Sequence, residues 1–537
     1  MMKFEFFLFG NDACPWFHLD DVHFIGYFFD DADQLYRGLD AVAYIQEKLK
    51  TNSLVEVVQK MNGSFSVIVN QGETCLLAAD SMNFYPLFYI NEKNRYVISD
   101  RFEKLVELQG DFHLNTEAID EFETAGFVLG TETLAKNVFK NNGSQVLKLS
   151  SANPEAVQYQ DFLSTNFSTD SLADLSTQFE AEMLNAGQRL IKFLNGRTAV
   201  VPLSGGYDSR LIVALLKRLN YQKVICITYG TINPEVSISK KVAQTLGFEW
   251  FFVDYSTLNI EEIQSEKNYE NYLHFAANGF SMPYLMEYFA VAQLLKDSRI
   301  PKDSVFIPGH SGDFLGGSYV LKTVKNHLEL NQLPHFIASK YFIFVRKDRR
   351  KRMQIEKRIS QSLQSIGHAK RIGDYNIAVE EWDIREKLAK FIFHSSQVFN
   401  FFGFEHYFLL WDQRLVKFFR KVPMQFREHK MLYDHVLEEK FFEPYHIHFQ
   451  EKELKTGTLK VLLQQIKDRV RYFFPWKMVL NRINNADWPY YRELTKSMLK
   501  FVEKCNRAKF RDFKNYNAVI CAWYVQFLKQ RTKREQQ

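Results

Sequence analysis

Cysteine is scarce in this chain. Five occur among 537 residues, Cys14, Cys75, Cys226, Cys505 and Cys521. The number is odd, the spacing is scattered and there is no Cys-x-x-Cys pair. That excludes a disulfide framework or a cysteine zinc site and fits a reducing compartment. No apolar run is long enough to span a bilayer. The opening residues, Met1-Met2-Lys3-Phe4-Glu5-Phe6-Phe7-Leu8-Phe9, are too short and too acidic for a signal peptide. The expectation is a soluble, cytoplasmic chain. An excess of one charge is also missing: 68 Lys and Arg face 63 Asp and Glu, a net of +5, too little to argue for a nucleic-acid partner. There is no internal repeat and no low-complexity segment beyond the polar terminus. The length predicts two or three domains, each with its own core. A hydrophobic fraction of 46% and a charged fraction of 24% are those of an ordinary globular protein, and 50 phenylalanines point to aromatic-rich cores.

The long glycine-spaced phosphate loop ending in Gly-Lys-Ser/Thr is absent too. Another kind of anion loop stands in its place. The apolar run Ala199-Val200-Val201-Pro202-Leu203 reads as a buried parallel strand, and Leu211-Ile212-Val213-Ala214-Leu215-Leu216 reads as a helix. Between them lie Ser204, Gly205, Gly206, Tyr207, Asp208 and Ser209. Glycines let the backbone approach a phosphate. The N–H groups and dipole of the helix start favour negative charge. Asp208 places a carboxylate where a phosphate-bound Mg²⁺ would sit. This stretch resembles the Ser-Gly-Gly-x-Asp-Ser loop of enzymes that split ATP to AMP and pyrophosphate. Ser-Gly-Gly alone would read as a ligand-free turn; Asp-Ser at a strand-to-helix junction turns the reading toward ATP.

The rest of the chain organises around that loop. The N-terminal stretch is strand-rich, with hairpins over 65–79 and 87–98 and a Ser- and Thr-rich connector over 162–176. Strands 199–203, 224–228 and 250–254 alternate with helices 208–219 and 235–246, which predicts a parallel sheet covered on both faces. A second apolar strand, Val305-Phe306-Ile307, feeds Gly309-His310-Ser311-Gly312-Asp313-Phe314-Leu315-Gly316-Gly317. Alone this is equally a flexible loop. Paired with the first, it supplies a second carboxylate, so that Asp208 and Asp313 hold Mg²⁺ between the phosphates. A third constellation runs from Glu405 to Asp412, then Gln413-Arg414-Leu415-Val416, Pro423 and Lys430.

Taken in order, these motifs resemble the asparagine synthetase family over about residues 20 to 440. The N-terminal segments Asn62-Gly63-Ser64-Phe65 and Ala79-Asp80-Ser81…Pro86-Leu87-Phe88-Tyr89 resemble the sheet segments of that family's glutaminase domain. The resemblance implies an α/β chain in three parts. Residues 1–170 are a degenerate Ntn-hydrolase-like antiparallel β-sandwich with helices. Residues 171–440 are a parallel-sheet, adenine-nucleotide hydrolase-like synthetase domain. Residues 441–537 are a basic helical extension that matches nothing in the family. It further implies an ATP-dependent, AMP-forming amide synthetase in which a carboxylate attacks the α-phosphorus of ATP and ammonia or an amine attacks the acyl-adenylate. The implied cofactors are ATP and Mg²⁺. Ser204, Gly205, Gly206, Asp208, Ser209, Thr228, Gly309 and Gly312 would bind nucleotide. Lys430 would contact the phosphates and the intermediate, and Glu405 would help deprotonate the attacking amine. Main chain near Ile227 to Gly230 would hold adenine, and Glu235 matches an acidic family position or simply caps its helix.

The departures from the family narrow this reading. No Cys, Ser or Thr follows the initiator Met1-Met2-Lys3, so the N-terminal nucleophile of glutamine-using members is missing. Cys14 would serve only after trimming. Ammonia or an amine then comes from outside, as in β-lactam synthetases and lasso-peptide cyclases. The acceptor is a small molecule, an anionic saccharide or a peptide. His310 and Phe314 stand where asparagine-forming members carry glutamates, which counts against asparagine synthesis itself. The basic clusters 346–352 and 496–534 read as solvated helix faces, or as a docking surface for an anionic substrate or acidic membrane. A non-catalytic nucleotide-binding scaffold and asparagine synthetase proper remain the alternatives. The sequence does not fix the oligomeric state.

Overall fold

A computed structural model describes residues 2–110, 112–162, 166–317, 330–345, 349–365, 375–449, 487–506 and 512–535. Residues 346–348 of the first basic cluster, 450–486 and 507–511 lie outside the described residues.

The N-terminal part stacks helix, sheet, sheet and helix. The larger sheet has seven strands, with Val22–Phe29, Asn62–Asn70 and Cys75–Ala79 at its centre. Strand residues alternate between faces, and here both faces are covered. Phe24, Phe28, Phe65 and Val67 pack with Ala41, Val42 and Ile45 of the helix Gly38–Leu49. Ile68, Cys75 and Leu77 meet Tyr89, Tyr96 and Ile98 of the second sheet. That sheet has four strands, in the order Lys3–Phe7, Arg95–Ser99, Phe88–Glu92, Phe139–Lys140. The sandwich is not wholly antiparallel as expected: Lys3–Phe7 runs parallel to Arg95–Ser99. No hairpin links those two strands, so no tight turn sets their direction.

The long helix α1 (Leu172–Leu194) opens the next part; it starts within the stretch expected to be a connector, on a Ser171–Asp174 capping box. The parallel sheet has five strands: β1 (Ala199–Pro202), β2 (Val224–Gly230), β3 (Glu249–Asp254), β4 (Val305–Phe306) and β5 (Glu405–His406). Their order is β3-β2-β1-β4-β5, all parallel. The strand order reverses between β1 and β4. In open parallel sheets the crevice beyond the carboxyl ends at that point receives ligands. The two glycine loops found in the sequence are the segments that leave β1 and β4.

One buried ion pair locks the halves together. Arg189 of α1 donates to both oxygens of Asp412, at 2.7 and 2.9 Å. Asp412 also accepts from Asn62 of the large sheet at 3.0 Å and caps the helix Gln413–Lys421 through the Arg414 N–H. Asn62 in turn accepts the Gln413 N–H at 3.0 Å.

The C-terminal helices are not a separate extension or a frayed tail. Met498, Val502, Val519, Cys521, Tyr524 and Leu528 lie in one core with Leu105, Ala118 and Phe122, and Tyr524 lies 5.9 Å from the Phe122 ring. Charge counting suggested a solvated face, but these helices also carry enough apolar residues to be drawn into the core. No helix among the described residues is long and apolar enough to cross a membrane.

Removing Asp412 leaves the Arg189 guanidinium buried beside a weak remaining partner, Asp33 at 3.1 Å. Asp412→Ala is expected to lower unfolding free energy by about 3–5 kcal/mol, read as a shifted denaturant midpoint.

Candidate functional site

The loop after β1 is closed by its own hydroxyls. Ser209 Oγ accepts the Ser204 N–H at 3.1 Å and Ser204 Oγ accepts the Gly206 N–H at 3.1 Å. The helix α2 (Tyr207–Arg218) starts inside this loop, with Gly206 as its N-cap. Gly205 approaches Glu235 at the start of α3 (Pro234–Leu246): a Cβ on Gly205 would lie 3.0 Å from Glu235 Cγ. Glu235 accepts the Gly205 N–H at 3.4 Å.

The two loops meet. Asp208 Oδ2 accepts the backbone N–H of Asp313 at 2.9 Å. A Cβ on Gly312 would sit 2.3 Å from the Asp208 carboxyl carbon, and one on Gly309 would sit 3.1 Å from the Ser209 nitrogen. Glycine is required at 312 by this approach, not by its own dihedral angles. Lys430 Nζ donates to Asp313 Oδ1 at 3.0 Å, and Tyr433 donates to Asp208 Oδ1 at 2.9 Å. His429 and Lys430 both have positive φ, 57° and 61°, a costly conformation for side-chain-bearing residues that is concentrated at functional sites. Lys430 then caps α4 (Met431–Val436), which carries Tyr433.

Electrostatics follow from burial. Burial, with the Asp313 carboxylate beside it, pushes Asp208 up to about 6, against the pull of Lys430 and Tyr433. Burial alone would lower Lys430, but Asp208, Asp313 and Asp434 outweigh it and raise its pKa, so the ammonium is held charged. Among the described residues no group of three or more His, Cys, Asp or Glu forms a metal cluster. Two carboxylates that leave the remaining positions to phosphate and water are nonetheless what Mg²⁺ uses in nucleotide sites. Asp208 and Asp313 fit that requirement.

Not every predicted residue joins this group. Thr228 is buried, and its hydroxyl donates to the Leu203 carbonyl at 2.8 Å and accepts from Trp250 Nε1 at 2.9 Å. It braces the root of the loop, buried among Leu203, Ser239 and Trp250. Glu405 is placed at the wrong end of the sheet. It pairs in register with Val305, which pairs with Ala199, the first residue of β1. Ser204 is five residues further along, roughly 15 Å at the usual rise per strand residue. Glu405 instead forms ion pairs with Arg37 and Arg197. Phe314 is fully buried, under the Arg420 guanidinium and 5.8 Å from the Trp411 ring, whereas His310 is half-buried, its ring 6.3 Å from those of Phe393 and Phe408. Burial pushes His310 down to about 4, which keeps its imidazole neutral.

Two residues not foreseen complete the site. Tyr433 orients Asp208, and its three-residue spacing from Lys430 was the available signal. Arg210 is buried and donates to the Gly205 carbonyl at 2.7 Å and the Ile447 carbonyl at 3.2 Å, which ties the loop to the segment after α4. Nothing in the sequence near Arg210 pointed to that partner.

Two carboxylate-bearing glycine loops at the switch point of a parallel sheet, beside a helix start, form a place suited to a phosphate-bearing ligand. Residues 196–437 match the family described as asparagine synthase. The comparison with curated proteins gives no match. Among solved structures the chain is similar to an NH3-dependent NAD synthetase from Campylobacter jejuni subsp. jejuni, at 14% identity over 38% of this chain and 98% of that one, TM-score 0.21. It is also similar to NMN synthetase from Francisella tularensis, at 12% identity, 39% and 77% coverage, TM-score 0.18. A third is glutamine phosphoribosylpyrophosphate amidotransferase from B. subtilis, at 6% identity, 55% and 63% coverage, TM-score 0.18. At these scores none of the three bears on the assignment.

Two predictions separate structural from chemical roles. Glu405→Gln is expected to cost about 1 kcal/mol of stability, read as a shifted denaturant midpoint, and to leave nucleotide-dependent activity unchanged; a general base in that position would instead lose roughly 100-fold or more. The second concerns Glu287, buried at the start of the helix Met286–Lys296. It accepts from Tyr229 at 2.6 Å, while its other oxygen has no partner. Burial pushes it up to about 7. Between its ordinary carboxylate range and pH 7 the folded state therefore holds a proton that the unfolded chain releases. Stability falls as pH rises through that window. Glu287→Gln should remove this slope and stabilise the protein above pH 7 by on the order of 1–3 kcal/mol, read from melting curves at pH 5 and pH 8.

Proposed function

We propose that this protein is an ATP-dependent amide synthetase that activates a carboxylate as its acyl-adenylate, releases pyrophosphate, and passes the acyl group to ammonia or an amine. The observation that carries the reading is the contact of two loops, more than a hundred residues apart in the chain, around Asp208, Asp313 and Lys430. The substrate carboxylate attacks the α-phosphorus, the bond to the pyrophosphate oxygen breaks, and the leaving group keeps the electron pair. The start of α2, which the Ser204–Ser209 loop leads into, receives that growing charge. Mg²⁺, held by Asp208 and Asp313, would add charge neutralisation there. Lys430, held charged by its neighbours, lies beside Asp313 to meet the phosphates and the acyl-adenylate.

The acceptor side is set by what residues 1–170 do not supply. Their helix–sheet–sheet–helix layering suits an Ntn-hydrolase-like glutaminase domain. Cys14 does not suit the nucleophile: it is buried, and burial pushes its thiol up to about 12, whereas a reactive thiol needs a lowered value. The nitrogen donor is therefore free ammonia or an external amine. The neutral His310 replaces an acidic acceptor pocket and favours an acceptor other than aspartate.

Incubation with Mg²⁺-ATP, radiolabelled pyrophosphate and a panel of carboxylic acids tests this. One acid is expected to stimulate exchange of label into ATP, and Asp208→Ala is expected to abolish it. Silence across a wide panel with ATP binding intact would point to a nucleotide-binding protein without adenylation chemistry.

A further inference from the structure

We propose that Trp488, carried by the C-terminal part of the chain and outside the matched domain, forms a wall of the base subsite and stacks on the purine of the nucleotide. The inference rests on the ATP reading above and names the residue that recognises the base.

The phosphate loops leave β1 and β4, so the base must lie toward one flank of the sheet. On the β5 side the crevice is filled, because residues 406–413 are all buried. On the other side β2 ends at Gly230, one strand spacing, about 5 Å, from β1. There the surface is open and apolar. Ile232 is 78% exposed and Trp488 is 37% exposed. Exposure of this kind is unusual for a tryptophan in a chain that buries most of its large aromatics, and among the described residues no ring stacks on it.

Trp488 is also held in place. Its carbonyl accepts the Thr231 N–H at 2.7 Å and the Thr231 hydroxyl at 3.3 Å. Asp487 caps the next turn through the N–H groups of Tyr491 and Arg492, at 3.0 and 2.7 Å. Beneath them Tyr491 is buried with Tyr284, Tyr272 and Tyr255 about Glu287. Gly230, with φ of +113°, makes the contact possible: a Cβ there would stand 2.6 Å from the Trp488 carbonyl oxygen and 3.1 Å from its ring atom Cε3. The end of β2 is thus shaped to receive this tryptophan, which stands partly exposed beside the strand next to β1, where the first glycine loop begins. A flat, electron-rich, partly exposed ring is suited to a base, and base–aromatic stacking is worth roughly 1–3 kcal/mol by alanine substitution.

Calorimetric titration of the full chain with Mg²⁺-ATP, AMP and pyrophosphate tests the assignment. Trp488→Ala is expected to weaken ATP and AMP by roughly 5- to 100-fold and to leave pyrophosphate unchanged. Trp488→Phe should retain most of the affinity, while Trp488→Leu, which keeps apolar bulk without a π face, should lose it. The Phe and Leu variants decide the matter if the alanine variant does not fold. Unchanged or tighter ATP binding in Trp488→Ala, equal loss of ATP and pyrophosphate in a folded variant, or full affinity in Trp488→Leu would overturn the proposal. Failure of the nucleotide reading itself would look different: the unaltered protein would not bind Mg²⁺-ATP, or Asp208→Ala would bind it undiminished.

Discussion

Everything chemical in this protein depends on how closely two loops approach at the switch point of its parallel sheet. The Asp208 carboxyl group occupies the space that a side chain on residue 312 would need. Ser209 likewise comes within contact of the place where a Cβ of residue 309 would be. Glycine at those positions therefore has a packing reason, and the packing gathers two carboxylates and an ammonium beside the start of a helix. Like charges held so close repel, and burial penalises them further; Lys430 and the Tyr433 hydroxyl offset that cost. Such an arrangement is poorly suited to an empty cavity and well suited to a polyanion with its counter-ion.

The two halves of the chain are fastened by a polar contact. Arg189 and Asp412 are both withdrawn from water, and such a pair contributes little net stability over an apolar substitute. Its value here is geometric. Asp412 binds a guanidinium from α1, an amide from the large sheet and the first N–H groups of a helix, so that the pieces share a single register. The C-terminal helices close the structure from the other side by packing against the helix Thr116–Ala125. Residues 487–491 then reach back over the end of β2. The crevice at the switch point is thereby bordered by segments from both extremes of the matched domain and from beyond it.

Burial also decides which titratable groups are chemically usable. Cys14, His310 and Thr228 are residue types with catalytic or binding potential. The first is held as an unreactive thiol, the second as a neutral ring, and the third has its hydroxyl committed to the backbone. Lys430 sits among three carboxylates and stays charged. Glu405 matched a family position by spacing, yet it neutralises two arginines at the amino end of the sheet, far from the loops.

The sequence by itself determined the alternation of strands and helices and the two glycine loops with their carboxylates Asp208 and Asp313. These are legible because apolar periodicity is local, and because a strand, a glycine turn and a helix start are contiguous. Only the tertiary structure decided which end of a strand Glu405 occupies, which way Phe314 turns, what the Thr228 hydroxyl binds, and that a basic C-terminal stretch belongs to the core. Strand register, side-chain direction and long-range contact are set by partners hundreds of residues away. A one-dimensional pattern carries no record of which partner will be there.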